Sequence, residues 1–238
     1  MVLARSFSDF FCNKVSNPIF LIGCFRSGTT LLSRLLDMHR DIANWSEANE
    51  ILDPQWFPWQ PANSHLTPLE YDPVAASTRW WNDNQLRQKE IQANFGAYQW
   101  LQQKSHFLNK SPYNTFRIPY LLEMFPKARF IHIYRDGRAV AYSHAIKITK
   151  GNHLQEWPEP QRTLFTESFD ELVVWLATFW KTCLEEVTQQ NKALGLVERG
   201  IMLDLNYEEL CSNPFETLDQ ICHFIDLTDL CQTSNAYK

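Results

Sequence analysis

One short glycine-containing stretch constrains this chain more than any other part of its sequence. Residues 23–30, with the sequence GCFRSGTT, follow the apolar run 19–22 and precede the amphipathic run 31–36. This order of strand, glycine loop and helix is typical of a phosphate-binding site, because backbone N–H groups and the helix dipole converge on one anion. The stretch therefore predicts an anion site at a helix N-terminus.

The loop differs from the common ATP- and GTP-binding loop in the place of its cation. A lysine would be expected after the second glycine, Gly28, but Thr29 stands there and the cation is Arg26. We therefore expect an anionic, nucleotide-like ligand. Magnesium–triphosphate chemistry, as in a P-loop kinase, is the less favoured alternative.

Composition limits the class of protein. The chain has 238 residues, 45% of them hydrophobic and 21% charged, with a net charge of −5. These values predict one globular domain, and they argue against a broad basic face for nucleic acid. The six cysteines form no CxxC pair, so we expect reduced thiols, no zinc site and a cytoplasmic protein. No apolar run approaches the roughly 20 residues of a membrane span.

Apolar runs that end in polar residues alternate with helical patterns along the chain. The alternation predicts an α/β fold, a three-layer sandwich whose central parallel sheet is covered by helices on both faces, with ligands at the carboxyl ends of the strands. The predicted strands are 19–23, 106–109, 129–134 and 200–205, and the predicted helices are 29–38, 80–103, 115–125, 139–148, 170–189 and one after Pro214.

The segment 53–79 interrupts this alternation. It begins with five of the twelve prolines, and six of the nine tryptophans lie between Trp45 and Trp100. Long structured loops in compact domains are often binding lids, so the segment is a candidate acceptor lid. An aromatic loop that only packs on the edge of the sheet is the alternative.

A second polar cluster follows the predicted strand 129–134. Arg135 comes directly after this strand, where its planar fork suits a phosphate group, and Ser143 offers a hydroxyl about two helical turns later. Arg138 is expected to have a structural role instead, in an ion pair with Asp136 or with an outer acidic residue.

Several other polar residues have a structural interpretation beside a functional one. Lys147 either adds a cation near Ser143 or is solvated. His132 is expected to be a core or hydrogen-bonded histidine, and His39 is expected to cap or pack the end of the first helix. His144 follows Ser143 directly, but it is expected to point elsewhere on the helix. Cys24 has no neighbouring histidine in sequence and is not a candidate nucleophile.

Together, the loop 23–30 and the segment 135–143 resemble the two-part cofactor signature of sulfotransferases that use 3′-phosphoadenosine 5′-phosphosulfate (PAPS). The resemblance covers most of the chain and implies a P-loop-like fold. It also implies that Arg135 and Ser143 hold the 3′-phosphate of PAPS. The residues that it assigns to the 5′-phosphosulfate are Arg26, Ser27, Gly28, Thr29 and Thr30.

The chain is similar to the branch of this family that uses a carboxylate base, which includes tyrosylprotein and many bacterial sulfotransferases. Lys110 is followed by Ser111 rather than by the Thr-His of many cytosolic members, and Glu47 lies about twenty residues after Arg26. The resemblance implies that Glu47 is the general base, with Glu50 as its nearest competitor. It further implies that Arg26 and Lys110 stabilise the leaving group without a metal, and that the acceptor is a small-molecule, glycan or peptide hydroxyl.

The chain departs from the family pattern at two places. Leu31 stands where many members have a tryptophan that stacks on adenine, so the adenine contact is not predicted. The family usually continues beyond the helix near 224–225 into a cofactor-closing loop, which is expected to be short or missing here. A bisphosphonucleotide-binding protein with weakened catalysis is therefore the alternative function.

Overall fold

The computed structural model describes residues 10–12, 14–15, 17–48, 85–151 and 161–227. The strands are β1 (Ile19–Ile22), β2 (Ile42–Ser46), β3 (His106–Lys110), β4 (Arg129–Tyr134) and β5 (Met202–Asn206). The α-helices are α1 (Thr29–Asp37), α2 (Gln85–Gln102), α3 (Ile118–Met124), α4 (Gly137–Lys150), α5 (Gln161–Glu167), α6 (Phe169–Leu194), α7 (Tyr207–Ser212) and α8 (Pro214–Phe224). A 3₁₀-helix, Pro112–Phe116, follows β3.

The strands form one five-stranded sheet in the order β2-β3-β1-β4-β5, and every pair is parallel. The chain passes from β1 to the β2 edge, returns through β3, and then crosses β1 to reach β4. Connections on opposite sides of β1 leave a crevice at the carboxyl ends of the central strands, where open α/β sheets bind ligands.

Helices cover both faces of this sheet, and the alternation of side chains along β1 explains how. Ile19 and Leu21 pack in a core that includes residues of α1 and α8, whereas Phe20 and Ile22 pack in a second core with residues of α2, α3 and α6. All four side chains are buried. A strand that is buried on both faces reads as a continuous apolar run, as it does here. The predicted α/β sandwich is confirmed.

Helix α6 has both of its ends specified by sequence. The Ser168 hydroxyl accepts a hydrogen bond from the Glu171 N–H at 3.3 Å, which caps the first turn. Gly195 ends the helix in the left-handed region, with φ +61°. This helix is longer than the predicted 170–189, because its last turn continues to Leu194.

Four further elements differ from the prediction. Strand β2 was not predicted as a strand, because only its first two residues are buried and no alternating pattern results. The predicted helix 115–125 divides into a 3₁₀-helix and α3, which has Pro119 in its first turn. Helices α5 and α7 were not predicted, because their seven and six residues are too few to show a period.

Some sequence expectations fall outside the described residues. These are the candidate lid 53–79, Glu50 and the segment after Leu227. In the described part of the chain, no helix has the length and apolar character needed to cross a membrane. The same residues contain no grouping of His, Cys, Asp and Glu that could hold a metal ion.

Candidate functional site

The loop between β1 and α1 is shaped by two glycines that no other residue could replace without movement. Gly23 has φ +147°, and a Cβ atom there would lie 2.3 Å from the Ile133 carbonyl oxygen. Gly28 has φ +100°, and its Cβ would lie 2.3 Å from the Tyr207 ring. The loop can therefore follow this path only where a side chain is missing.

The start of α1 provides unpaired hydrogen-bond donors. Gly28 is the N-cap and offers no side chain, so the N–H groups of the first turn receive no side-chain cap. The Ser27 hydroxyl is fully buried and has no hydrogen-bond partner among the described residues. Buried polar groups are normally paired, so an orphaned hydroxyl beside uncapped amides fits an anionic ligand.

Arg26 connects this loop to the second polar cluster. Its backbone is in the left-handed region, with φ +68°, and its Nε donates to Ser143 Oγ of α4 at 3.1 Å. Arg135 Nη1, at the end of β4, approaches the Arg26 carbonyl oxygen at 3.5 Å. The structure thus brings both predicted phosphate-binding parts together at one place.

The Arg135 side chain is held by two residues of α7 that the sequence analysis did not assign to the site. Its guanidinium carbon lies 4.3 Å from the centre of the Tyr207 ring, and its Nε lies 4.0 Å from Glu208 Oε1. That Nε is buried without a hydrogen-bond partner in the described structure. The signal that could have found Tyr207 and Glu208 is their position, directly after β5 at the same edge of the sheet.

His144 is buried beside the loop and lies near two positive charges. Its imidazole stacks on Phe25 of the loop, with 5.5 Å between the ring centres. Burial, followed by the nearby charges of Arg26 and Lys147, lowers the pKa of His144 to about 4. Basic side chains therefore gather at this place although the net charge of the chain is −5.

Glu47 and Lys110 form an ion pair at the carboxyl ends of the neighbouring strands β2 and β3. Lys110 Nζ donates to Glu47 Oε1, and the Glu47 N–H donates to the Lys110 carbonyl oxygen at 2.7 Å. The register of β2 and β3, which sets Ser46 opposite Lys110, brings the two residues together. The Lys110 side chain is 4% exposed and that of Glu47 is 55% exposed, so the carboxylate is open to an acceptor.

This ion pair lies on the same edge of the sheet as the glycine loop 23–30. Lys110 is paired with Leu21 in the sheet, and the Ser111 N–H donates to the Leu21 carbonyl oxygen at 3.3 Å. The loop begins two residues later, at Gly23. A carboxylate, a buried ammonium group and the uncapped N-terminus of α1 therefore occur at adjacent strand ends, which is an arrangement suited to group transfer.

Other polar residues have structural roles. Arg138 Nη2 donates to Asp136 Oδ2 at 2.5 Å, as the sequence predicted, and the guanidinium holds the pKa of that carboxyl far below its usual range. His132 Nδ1 lies 2.8 Å from Asp204 Oδ1 on the adjacent strand. His39 is buried at the end of α1, where its Nδ1 accepts from the Asp41 N–H at 3.1 Å.

Cys24 is buried beside Cys183 in a small apolar cluster. Burial and the contact with Cys24 raise the pKa of the Cys183 thiol well above its ordinary value. A thiolate is the reactive form of cysteine, so this environment disfavours nucleophilic chemistry at the pair.

Comparison with known proteins decides the family. A family model described as "Sulfotransferase family" matches residues 18–230 of the chain. The chain belongs to the sulfotransferase family. The match includes both the loop 23–30 and the segment 135–143, and it agrees with the resemblance found in the sequence.

Named relatives of this sulfotransferase chain act on different acceptors. A protein-tyrosine sulfotransferase of Drosophila melanogaster is 26% identical over 225 residues, covering 90% of this chain and 39% of the relative. The omega-hydroxy-beta-dihydromenaquinone-9 sulfotransferase Stf3 of Mycobacterium tuberculosis is 25% identical over 255 residues, covering 89% of this chain and 63% of the relative. The chain thus spans less than two-thirds of the length of these relatives.

Solved structures show the same fold. Sulfotransferase STF9 from Mycobacterium avium superposes with a TM-score of 0.62 at 15% identity, covering 98% of this chain and 70% of that one. STF1 from Mycobacterium tuberculosis superposes with a TM-score of 0.60 at 18% identity, covering 95% of this chain and 74% of the STF1 chain. The parallel sheet and its helical layers are therefore those of sulfotransferases.

Proposed function

We propose that this chain is a PAPS-dependent sulfotransferase that moves a sulfuryl group to a hydroxyl acceptor, with Glu47 as the general base. The observation that carries the proposal is the contact of Arg26 with both Ser143 and Arg135. It joins two motifs that are distant in sequence into one basic cleft, which suits a nucleotide with phosphate at both ends. Family membership provides the reaction class.

The residues of the cleft fit such a nucleotide. Ser27 and Arg135 each carry a buried polar atom without a partner in the described structure, and both atoms are hydrogen-bond donors. We propose that Arg135 and Ser143 hold the 3′-phosphate of PAPS. The 5′ end is assigned to the loop and the first turn of α1, where Arg26, Ser27, Gly28, Thr29 and Thr30 lie.

Bound PAPS supplies a sulfuryl group on a phosphate leaving group. Glu47 has the exposure and chemistry needed to accept the proton of an acceptor hydroxyl. Lys110 orients the Glu47 carboxylate through their ion pair, and its ammonium group also offers positive charge beside the cleft. We propose that Arg26 and Lys110 stabilise the negative charge that develops on the leaving group, as fixed cations do in related transfers.

The class of acceptor follows only from the relatives. One relative is named for protein tyrosine and another for an omega-hydroxylated menaquinone. These acceptors share a hydroxyl group on an apolar or aromatic framework. A peptide, glycan or small-molecule hydroxyl of this kind is therefore the proposed acceptor class.

The test is incubation of the protein with PAPS carrying ³⁵S and a panel of tyrosine peptides, phenols and long-chain alcohols. We expect a labelled product and equimolar release of 3′-phosphoadenosine 5′-phosphate. Arg26→Ala and Glu47→Ala should lose turnover, and Arg138→Ala is the control, since this nearby arginine is paired with Asp136. Micromolar binding of the bisphosphate without transfer to any acceptor would contradict catalysis and favour a binding protein.

A further inference from the structure

Asn109 is a fully buried polar residue whose role the sequence did not assign. It lies on β3 directly before Lys110, and its side-chain Nδ2 donates to the Trp45 carbonyl oxygen at 2.8 Å. Its Oδ1 accepts from Asn114 Nδ2 at 2.7 Å. A buried amide in a central strand is costly unless it is paired, so this position calls for a specific explanation.

The orientation of the Asn109 amide is fixed by its partners. A backbone carbonyl can only accept, so Nδ2 must face Trp45 and Oδ1 must face away from it. Asn114 then donates to Oδ1 from the 3₁₀-helix that follows β3. Asn114 therefore donates to Asn109, and Asn109 donates to the carbonyl of Trp45, two residues before Glu47.

Glu47 needs such support because its own backbone is strained. It has φ +54°, a conformation that residues with a side chain seldom adopt, and its carboxylate is largely exposed. Strand β3 contacts the backbone and the side chain of the turn at the end of β2, residues 45–47, at three points. Asn109 holds the Trp45 carbonyl, the Lys110 carbonyl accepts from the Glu47 N–H, and Lys110 Nζ binds the carboxylate.

We propose that Asn109 is a positioning residue that fixes the Glu47 turn in the geometry required for proton transfer. The proposal rests on the proposed role of Glu47 as general base. Asn109 does not contact the substrate; it acts through the backbone of Trp45. Loss of this contact would let the turn relax, and displacement of a catalytic group by about 1 Å can cost on the order of 10²-fold in rate.

A second side chain also donates to the backbone of β2 and provides a matched control. The Tyr98 hydroxyl donates to the Asn44 carbonyl oxygen at 2.8 Å, one residue before Trp45. This bond has the same length as that from Asn109, but it comes from α2 and holds the middle of β2. Tyr98→Phe therefore removes a comparable side-chain bond to the β2 backbone without changing the contacts of Glu47 with β3.

The test compares Asn109→Asp, which keeps the shape and the acceptor, with Asn109→Leu, which is uncharged and of similar size. Each is measured for kcat, for KM of PAPS and for the Kd of 3′-phosphoadenosine 5′-phosphate, together with Tyr98→Phe and Glu47→Ala. We expect kcat with a neutral phenol to fall ten- to a hundredfold, by the positional cost given above, while the bisphosphate Kd changes less than twofold. Tyr98→Phe should keep kcat within twofold.

Two further measurements separate positioning from a general loss of structure. With p-nitrophenol at a pH well above the pKa of its hydroxyl, where it is ionised, both Asn109 variants and Glu47→Ala should recover most of their turnover, since no base is needed. The double variant of Glu47→Ala and Asn109→Asp should be no slower than Glu47→Ala alone. Additive losses, or equal losses with neutral and ionised phenols, would overturn the inference.

The design also distinguishes the inference from the proposed function. If Glu47→Ala keeps wild-type kcat, the assignment of Glu47 as base is wrong and the positioning role falls with it. If Glu47→Ala loses turnover but folded Asn109 variants do not, only the positioning role is wrong. Folding of each variant is checked by thermal unfolding before the kinetics.

Discussion

Arg26 and Ser143 are 117 positions apart in the chain, and Arg26 Nε donates a 3.1 Å hydrogen bond to Ser143 Oγ. The bond joins the loop after β1 to helix α4, which begins after β4. Strands β1 and β4 are adjacent in the sheet, so their carboxyl ends bring these two segments together. The glycine loop and the second predicted phosphate-binding part therefore lie at one place in the structure.

Replacement of Arg26 tests its charge and its shape separately. Arg26→Ala should lower kcat by on the order of 10²–10³, the usual cost of losing one group that stabilises developing charge. Arg26→Lys restores the charge but not the planar fork that reaches Ser143, so it should recover only part of the loss. Steady-state kinetics with PAPS measures both variants.

The control for this prediction is Arg40→Ala. Arg40 is an exposed arginine whose Nε lies 3.4 Å from Asp41 Oδ2, in the turn between α1 and β2. Its removal should leave kcat within twofold. Equal activity of Arg26→Ala and Arg40→Ala would show that Arg26 has no role in transfer.

Gly28→Ala should damage both folding and ligand binding. The residue has φ +100°, and a methyl group would collide with the Tyr207 ring at 2.3 Å, so either Tyr207 or the loop must move. The Tyr207 ring also lies against the Arg135 guanidinium, so its displacement would disturb Arg135. The substitution should therefore also weaken bisphosphate binding by at least about tenfold, or 1.4 kcal/mol. Thermal unfolding and calorimetric titration measure the two effects.

Gly200→Ala separates strain from collision. Gly200 also has a positive φ, +66°, but a methyl group there meets no atom within 4 Å. Strain alone should cost about 1–2 kcal/mol in the free energy of unfolding, with no change in bisphosphate affinity. If Gly28→Ala were no worse than Gly200→Ala, the contact with Tyr207 would not shape the loop.

The local parts of the fold were predictable because their signals are contiguous. The run 19–22, the loop and α1 follow one another in sequence, and Ser168 with Gly195 mark the ends of α6 by capping chemistry. Strand β2 carries no such signal. It is an edge strand whose last residues are partly exposed, so its place depends on pairing with β3.

The candidate residues of the site were recognisable by type and order, but their contacts were not. The pairing of Glu47 with Lys110 depends on the register of β2 and β3, and sequence does not reveal register between distant strands. The same reason hid Tyr207, which reaches Gly28 and Arg135 only because β5 lies beside β4.

Protonation of His144 should destabilise the fold in mild acid. Its pKa is lowered to about 4 by burial, Arg26 and Lys147, whereas in the unfolded chain it returns to about 6.5. Between these values the unfolded state binds more protons, so the free energy of unfolding falls as the pH drops from about 6.5 to 4. The full effect is about 3 kcal/mol.

The measurement for His144 is urea unfolding across this pH range, with His144→Phe as the comparison. Phenylalanine keeps a ring that can stack on Phe25 but cannot bind a proton. The difference in unfolding free energy between wild type and variant should therefore shrink or reverse in favour of the variant as the pH falls. A difference that stays constant from pH 7 to pH 4 would contradict the lowered pKa.

The ion pair of Glu47 and Lys110 should respond unequally to loss of its two members. Lys110 is 4% exposed, so Glu47→Gln leaves a buried ammonium group without its carboxylate, whereas Lys110→Met leaves a carboxylate that is 55% exposed and can be solvated. Removing the partner of a buried charge is the costlier change. Glu47→Gln should therefore lower the free energy of unfolding by at least about 1 kcal/mol more than Lys110→Met.

Kinetics on the same two variants completes this prediction. Both should lose at least about tenfold in kcat, because Glu47→Gln removes the proposed base and Lys110→Met removes both its orienting contact and a cation. Lys110→Met should therefore lose activity although it costs less stability than Glu47→Gln, and a global loss of structure could not produce that combination. Stability and kcat that fall in strict proportion would mean that the ion pair serves the fold alone, and the base would then have to be sought elsewhere.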